Sequence, residues 1–239
     1  METADKVFVA ALKEMTESTL NLMKLFQRAE NLKNMGAEEL AIELYRIWIG
    51  FNHANPFLFA AHFNLAVMQT NRGDLAAARE SLRQAITHKP DFYPAHINLG
   101  GVLEKSGAVG EAVAQWLTIV DALPQITGAN KHYKIEALKQ VGRVLEERRE
   151  YGSQTEDMLR QVIDLDHTQN DAIEHFVMLR LGQCKWPVVV PWEGVSAQTL
   201  VSGMAPLAML AYTDDPILQL ASAWKYSVNR ATLPPDQRP

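Results

Sequence analysis

Two stretches of this chain, Phe59–Phe92 and Tyr93–Ile126, align without a gap over 34 residues. The fourth position is His62 and His96, the seventh Leu65 and Leu99, and the eighth Ala66 and Gly100. The fifteenth is Gly73 and Gly107, the twentieth Ala78 and Ala112, and the thirty-second Pro90 and Pro124. An interval of this length restricts a chain to a few architectures in which one unit cannot cover its own apolar face and stacks on copies of itself. Apolar residues inside each block recur at helical spacing (Leu65, Leu82, Ala85, Leu99, Leu103, Trp116, Ile119), so each block predicts two helices and a shared core between blocks. The glycines end the first helix, where positive φ is cheap only for glycine. The prolines stop the second helix. Small residues at positions eight and twenty let the two helices approach closely.

This pattern resembles the tetratricopeptide-repeat (TPR) family, whose unit is an antiparallel helix pair with small residues at the eighth and twentieth positions. Two looser copies flank the matched pair. Upstream, Leu25, Ala29, Leu32, Gly36, Ala41, Tyr45 and Trp48 follow it from about Leu22, and the closing proline, Pro56, arrives three residues late. Downstream, Leu138, Val141, Gly142, Leu145, Leu159 and Val162 fit a copy beginning near Ile135, with His167 in place of the proline. The stretch Ile126–Lys134, containing Gly128, reads as a longer loop between repeats. The fold expected is all-α: a TPR helix-hairpin solenoid of about four repeats followed by a short irregular helical bridge.

The predicted organisation has a capping helix in residues 1–21, with Asp5–Leu20 helical and Val7, Ala11, Met15 and Ser18 near one face. The solenoid takes residues 22–182, ending in a half repeat over Asp171–Gly182 with Ile173, Phe176, Val177 and Leu181 on an apolar face. A bridge occupies residues 183–232 and a proline-rich linker residues 233–239. Within the bridge, Pro187–Pro191 is extended because two prolines bracket Val188–Val190. Ser196 caps a short helix ending near Gly203, and Pro206–Tyr212 is a second. Asp215 followed by Pro216 starts a last helix with Ile217, Leu220, Ala221, Trp224 and Val228 on one face.

The bridge carries a narrower resemblance. Leu179-Arg180 and Cys184-Lys185-Trp186, then Ser202–Leu207 and Thr213–Leu220, look like the bridge of bacterial SPINDLY-type relatives of the O-linked N-acetylglucosamine transferases. That family has an acidic residue where Lys185 stands. The resemblance implies a TPR region joined through the bridge to a sugar-nucleotide-dependent transferase domain, and this sequence includes none of that domain. No catalytic residue is carried over. The alternative is a free-standing TPR adaptor, and a reading frame continuing past Pro239 into a second domain would separate the two.

The groove of such a solenoid is lined by the first helix of each repeat. At the sixth position stand Gln27, Asn64, Asn98 and Gln140. Side-chain amides donate and accept together, so a ladder of them can pair with the backbone of an extended peptide of any sequence. The transferase resemblance implies the same use. Asparagine here is also common in TPR proteins of many functions. Phe26, Phe63, Val67 and Ile97 add apolar neighbours, which either receive peptide side chains or pack within their own hairpins. Only Lys139 and Arg143 supply groove cations, too few for a carboxylate clamp but enough for one acidic contact.

Chemistry finds little footing. His62 and His96 recur through repeat descent, lack carboxylate company and hold no metal. Cys184, the one cysteine, reads as buried and structural, with no activating base. Asp214-Asp215 reads as a cap rather than a metal or acid–base pair. Gly107–Gly110 lacks the lysine and strand of a phosphate loop and is a turn. No catalytic constellation, metal or cofactor is expected. Hydrophobic residues make up 47% and charged residues 21%, as in an ordinary folded protein, and the net charge of -5 without a basic stripe argues against nucleic acid. No apolar run approaches the roughly 20 residues of a membrane span, and the N-terminus does not read as a signal peptide. The expected location is cytoplasmic. The expected partner is a protein or extended peptide, with exposed bridge residues such as Trp192 and Trp224 packing on a transferase domain or on a second copy.

Overall fold

The computed structural model describes residues 3–123, 128–148 and 152–230. The described residues are helical apart from turns, short irregular connections and one isolated β-bridge, Trp192 with Val195. The chain divides between Ala122 and Leu123 into two compact units.

The first unit opens with α1 (Ala4–Thr16) and continues as three hairpins: α2 (Leu22–Asn34) with α3 (Glu38–Phe51), α4 (Leu58–Asn71) with α5 (Leu75–His88), and α6 (Tyr93–Lys105) with α7 (Val109–Ala122). One turn is used three times. Gly36, Gly73 and Gly107 sit at φ 73°, 80° and 83° just past the first helix of each hairpin. The next amide then reaches back to an orphan carbonyl: Ala37 to Leu32, Asp74 to Gln69 and Ala108 to Leu103, each at 2.9 Å. Helix starts follow local chemistry too. The Asn21 side chain accepts from Lys24 N–H at 3.0 Å and Asp74 from Ala77 N–H at 3.1 Å.

The hairpin cores bear out the small-residue positions. Ala29, Ala41, Ala66, Ala78 and Ala112 are buried, and Trp48 and Trp116 are fully enclosed. Each indole N–H finds a carbonyl, Trp48 on Leu20 at 3.0 Å and Trp116 on Ile97 at 3.1 Å, so burial leaves no polar atom stranded. A Cβ placed on Gly100 would lie 2.2 Å from the Trp116 Nε1 atom, so position eight of this repeat admits no side chain while the indole holds its place.

α1 is shorter than expected. It stops at Thr16, and Ser18 adopts φ 56°, with Thr19 N–H returning to Glu14 O at 2.8 Å. The helix ends in the same left-handed turn as the repeats, with serine where they have glycine. Val7, Ala11 and Met15 are buried as predicted, while Ser18 lies beyond the helix.

The second unit contains the hairpin of α8 (Lys131–Arg148) and α9 (Gly152–Leu165), then α10 (Asn170–Gly182), α11 (Ala197–Gly203), α12 (Pro206–Tyr212) and α13 (Pro216–Arg230). The anticipated loop over Ile126–Lys134 is mostly helical where described: Gly128–Asn130 forms a 3-10 turn and Lys131–Lys134 begins α8. Neither glycine nor proline follows Gly128 there, and Lys134 Nζ donates to Leu123 O at 2.8 Å, fixing the helix start. Pro124, Ile126 and the linker 233–239 lie outside the described residues.

α10 ends in the turn of a first repeat helix. Cys184 stands at φ 53° and Lys185 N–H returns to Arg180 O at 2.9 Å. Cys184 is exposed, correcting the expectation of burial: the residue at this left-handed position projects away from the helix it terminates. Lys185 and Arg180 then share one carboxylate. Arg180 Nη1 and Lys185 Nζ donate to opposite oxygens of Glu156, the latter at 2.7 Å, while Arg180 also donates to Val188 O at 3.1 Å and Pro187 O at 3.0 Å. Burial pushes the Glu156 carboxyl up, but the two cations outweigh it and hold the group below its ordinary value.

Trp192 is half-buried, not exposed. Its ring lies 5.4 Å from Phe176, the Arg160 guanidinium stands 4.8 Å above it, and its N–H donates to Asp164. The predicted caps form: Ser196 Oγ accepts from Thr199 N–H at 3.1 Å, and Asp215 Oδ1 from Ile217 N–H at 2.8 Å.

Candidate functional site

Repeat position six places Gln27 on α2, Asn64 on α4 and Asn98 on α6, all in the first unit. Gln27 is exposed, and Asn64 and Asn98 are half-buried. Asn64 sits in the wall of a pocket of ≈ 260 Å³ between α2, α3 and α4. Phe26, Tyr45, Val67 and Met68 supply its apolar surface, and Glu30, Lys33 and Asn71 its polar rim. That volume suits one large side chain rather than a drug-sized ligand.

The Asn64 amide stands beside Tyr45 in the pocket wall. Burial pushes the Tyr45 phenol up to about 12, the Asn64 contact pulls the other way, and the nearby Glu30 charge adds to the rise. Tyr45 therefore keeps its proton at any ordinary pH. The Asn64 amide brings both donor and acceptor capacity to the pocket wall.

The apolar groove candidates divide. Phe26 and Val67 line the pocket. Phe63 meets the edge of Phe92, with centroids 5.2 Å apart, and so packs between its helix and the segment leading into α6. Ile97 is half-buried beside Asn98, and its carbonyl receives the Trp116 indole. Glu30, Lys33, Met68 and Asn71 were not anticipated. The signal was present in α4, where Asn64, Val67, Met68 and Asn71 are spaced to share one helical face.

The fourth amide and both cations lie in the second unit, where they are engaged locally. Gln140 donates to Glu136 at 2.8 Å and accepts from Arg143 Nη2 at 3.0 Å. Lys139 is paired with Asp171 at 2.7 Å and also donates to Gln169. Burial alone would raise the Asp171 carboxyl, yet the Lys139 contact and backbone N–H groups keep it below the usual carboxylate value.

The two repeat histidines have different surroundings. His96 bonds Pro90 O at 2.8 Å and the Gln115 amide. His62 stacks on His88, with centroids 5.6 Å apart, and its Nδ1 is buried without a partner. Burial and the neighbouring His88 drop the His62 imidazole to about 4, against a smaller opposing pull from Glu80. Among the described residues, no group of three or more His, Cys, Asp or Glu side chains is arranged to hold a metal ion. No described helix is long and apolar enough to cross a membrane.

No protein-family model matches the sequence, and no curated protein matches it. Solved structures do. A tetratricopeptide repeat protein from Parabacteroides merdae superposes with a TM-score of 0.61 at 17% identity, over 85% of this chain and 72% of that one. PilF of Pseudomonas aeruginosa gives 0.57 at 14% identity, over 95% and 93% of the two chains. YrrB, described as a TPR protein with an unusual peptide-binding site, gives 0.55 at 15% identity, over 89% and 95%. At such low identity these likenesses establish architecture alone, and the architecture is the tetratricopeptide-repeat one: an all-α chain of stacked helix hairpins.

Proposed function

We propose that this chain is a non-catalytic protein-interaction module that binds an extended polypeptide along α2, α4 and α6 of its first unit. Gln27, Asn64 and Asn98 would pair with the peptide backbone, and the pocket beside Asn64 would receive one peptide side chain. The observation that carries the reading is the pocket itself, where the Asn64 amide adjoins Tyr45 and the apolar surface of Phe26, Val67 and Met68. YrrB, similar in fold, is itself described as having a peptide-binding site. Gln140, Lys139 and Arg143 form a subsidiary candidate, since a ligand would have to displace their present partners. Peptides selected from a display library on the immobilised chain provide the probe. Replacing both Asn64 and Asn98 with alanine is expected to weaken them about tenfold or more, two backbone pairings being lost, with helical content unchanged. Unaltered affinity in that double variant contradicts the reading.

In its finer form the bound polypeptide is an acceptor presented to a sugar-transfer domain, as the Leu179–Leu220 resemblance implies. Lys185 departs from that family's acidic residue, and here its ammonium pairs with Glu156. A serine or threonine at a fixed place in the selected peptides supports acceptor presentation, whereas peptides free of hydroxyl residues favour the adaptor reading. The chain alone is expected to transfer no sugar from a UDP- or GDP-sugar to a peptide, and measurable transfer overturns the non-catalytic assignment.

A further inference from the structure

α13 carries two apolar sides, and its own unit covers only one. On the covered side Ser222 is buried and donates to Met204 O at 2.9 Å, Lys225 Nζ donates to Ser202 O, and Leu218 lines a small apolar pocket with Val201, Met204 and Met209. On the other side Ile217, Leu220, Trp224 and Val228 are 76%, 72%, 70% and 62% exposed. Their spacing puts them on one stripe running about 17 Å along the helix.

We propose that this stripe joins two copies of the chain, α13 lying antiparallel on α13 about a two-fold axis. Area points to a second copy first. The four side chains leave roughly 500 Å² of apolar surface in one strip, more than scattered surface residues account for and short of the ~800 Å² per partner of a standard stable interface. That amount suits a weak, reversible pair rather than an obligate one. Charge agrees. Lys225 is the sole charged residue from Pro216 to Val228, and its ammonium is held within its own unit, so two copies can meet without opposed like charges. A strongly acidic or basic partner would find nothing on the stripe to pair with.

Shape fits as well. With Ile217 set opposite Val228 of a second copy, Trp224 falls on the second copy's Ala221. A two-fold axis repeats this meeting of a large and a small residue. The antiparallel arrangement also sets the helix dipoles favourably.

Sedimentation velocity on the full chain tests this. The weight-average mass should rise from 26.8 kDa towards double as concentration is raised to about 100 µM. Trp224→Glu and Leu220→Glu should each raise the dissociation constant at least about tenfold, with helical circular dichroism unchanged. Ala221→Phe separates the proposed pairing from general stickiness, because it adds apolar area yet should weaken the dimer by filling the seat of Trp224. A mass of 26.8 kDa at every concentration, a dimer that survives Trp224→Glu, or one left unchanged or tightened by Ala221→Phe overturns the proposal.

Discussion

The second and third hairpins of the first unit share one period and differ in how they fill it. In α4/α5 the eighth position is Ala66 and the twenty-fourth Leu82; in α6/α7 they are Gly100 and Trp116. A larger residue on the second helix goes with a smaller one on the first, so the space between the helices is kept while its occupants change. The lesson is that the repeat conserves a volume and a turn, not particular side chains. The histidines teach the converse. His62 and His96 hold the same repeat position, yet one is stacked and lacks a partner at Nδ1 while the other is bonded at both nitrogens. Equivalence in sequence leaves the environment to be set by neighbours such as His88 and Gln115.

The shared volume is tightest at Gly100. Gly100→Ala should cost about 1–3 kcal/mol, because the added methyl meets the buried indole and both sides are packed. Adding Trp116→Leu should recover part of that loss by recreating the pairing of the preceding hairpin. Urea unfolding of the two variants checks this, and a single variant as stable as the parent would place Trp116 elsewhere.

A smaller effect separates the histidines. The unfolded chain protonates an imidazole near 6.5, but folded His62 resists protonation until about 4. As pH falls from 6.5 towards 4, the unfolded state therefore binds a proton that the folded state does not, and stability declines. Allowing for partial solvent exposure, this amounts to about 1–2 kcal/mol. His62→Gln should remove that part of the slope, seen as a difference between parent and variant urea midpoints across this window.

The smallest effect concerns the second helices. Asp74 caps α5, and the equivalent residue before α7 is Ala108. Asp74→Ala should cost about 1 kcal/mol and Ala108→Asp should add roughly half as much, measured as opposite shifts in melting temperature.

Much of this fold was legible because its signals are local. Gly36, Gly73 and Gly107 mark their turns, and Ser196 and Asp215 their caps, through bonds spanning a few residues. What escaped depends on distant partners. Trp192 is covered by Arg160 and Phe176, and Lys185 is tied to Glu156, contacts that no spacing rule reveals. Cys184 was misjudged because cysteine is usually buried, whereas here it occupies the solvent-facing place that glycine takes in the repeats. Of the candidate site, the period gives the helix and position of each amide. It does not give the pocket beside Asn64, because Glu30, Tyr45 and Met68 come from three different helices.

A ligand in the proposed groove touches α2, α4 and α6 and leaves the second helices of the hairpins free. Backbone hydrogen exchange of the full chain, with and without a selected peptide, measures this directly. Slowed exchange concentrated on α2, α4 and α6, strongest around Asn64, is the predicted result. Protection confined to α3, α5 and α7, or to the second unit, would contradict it.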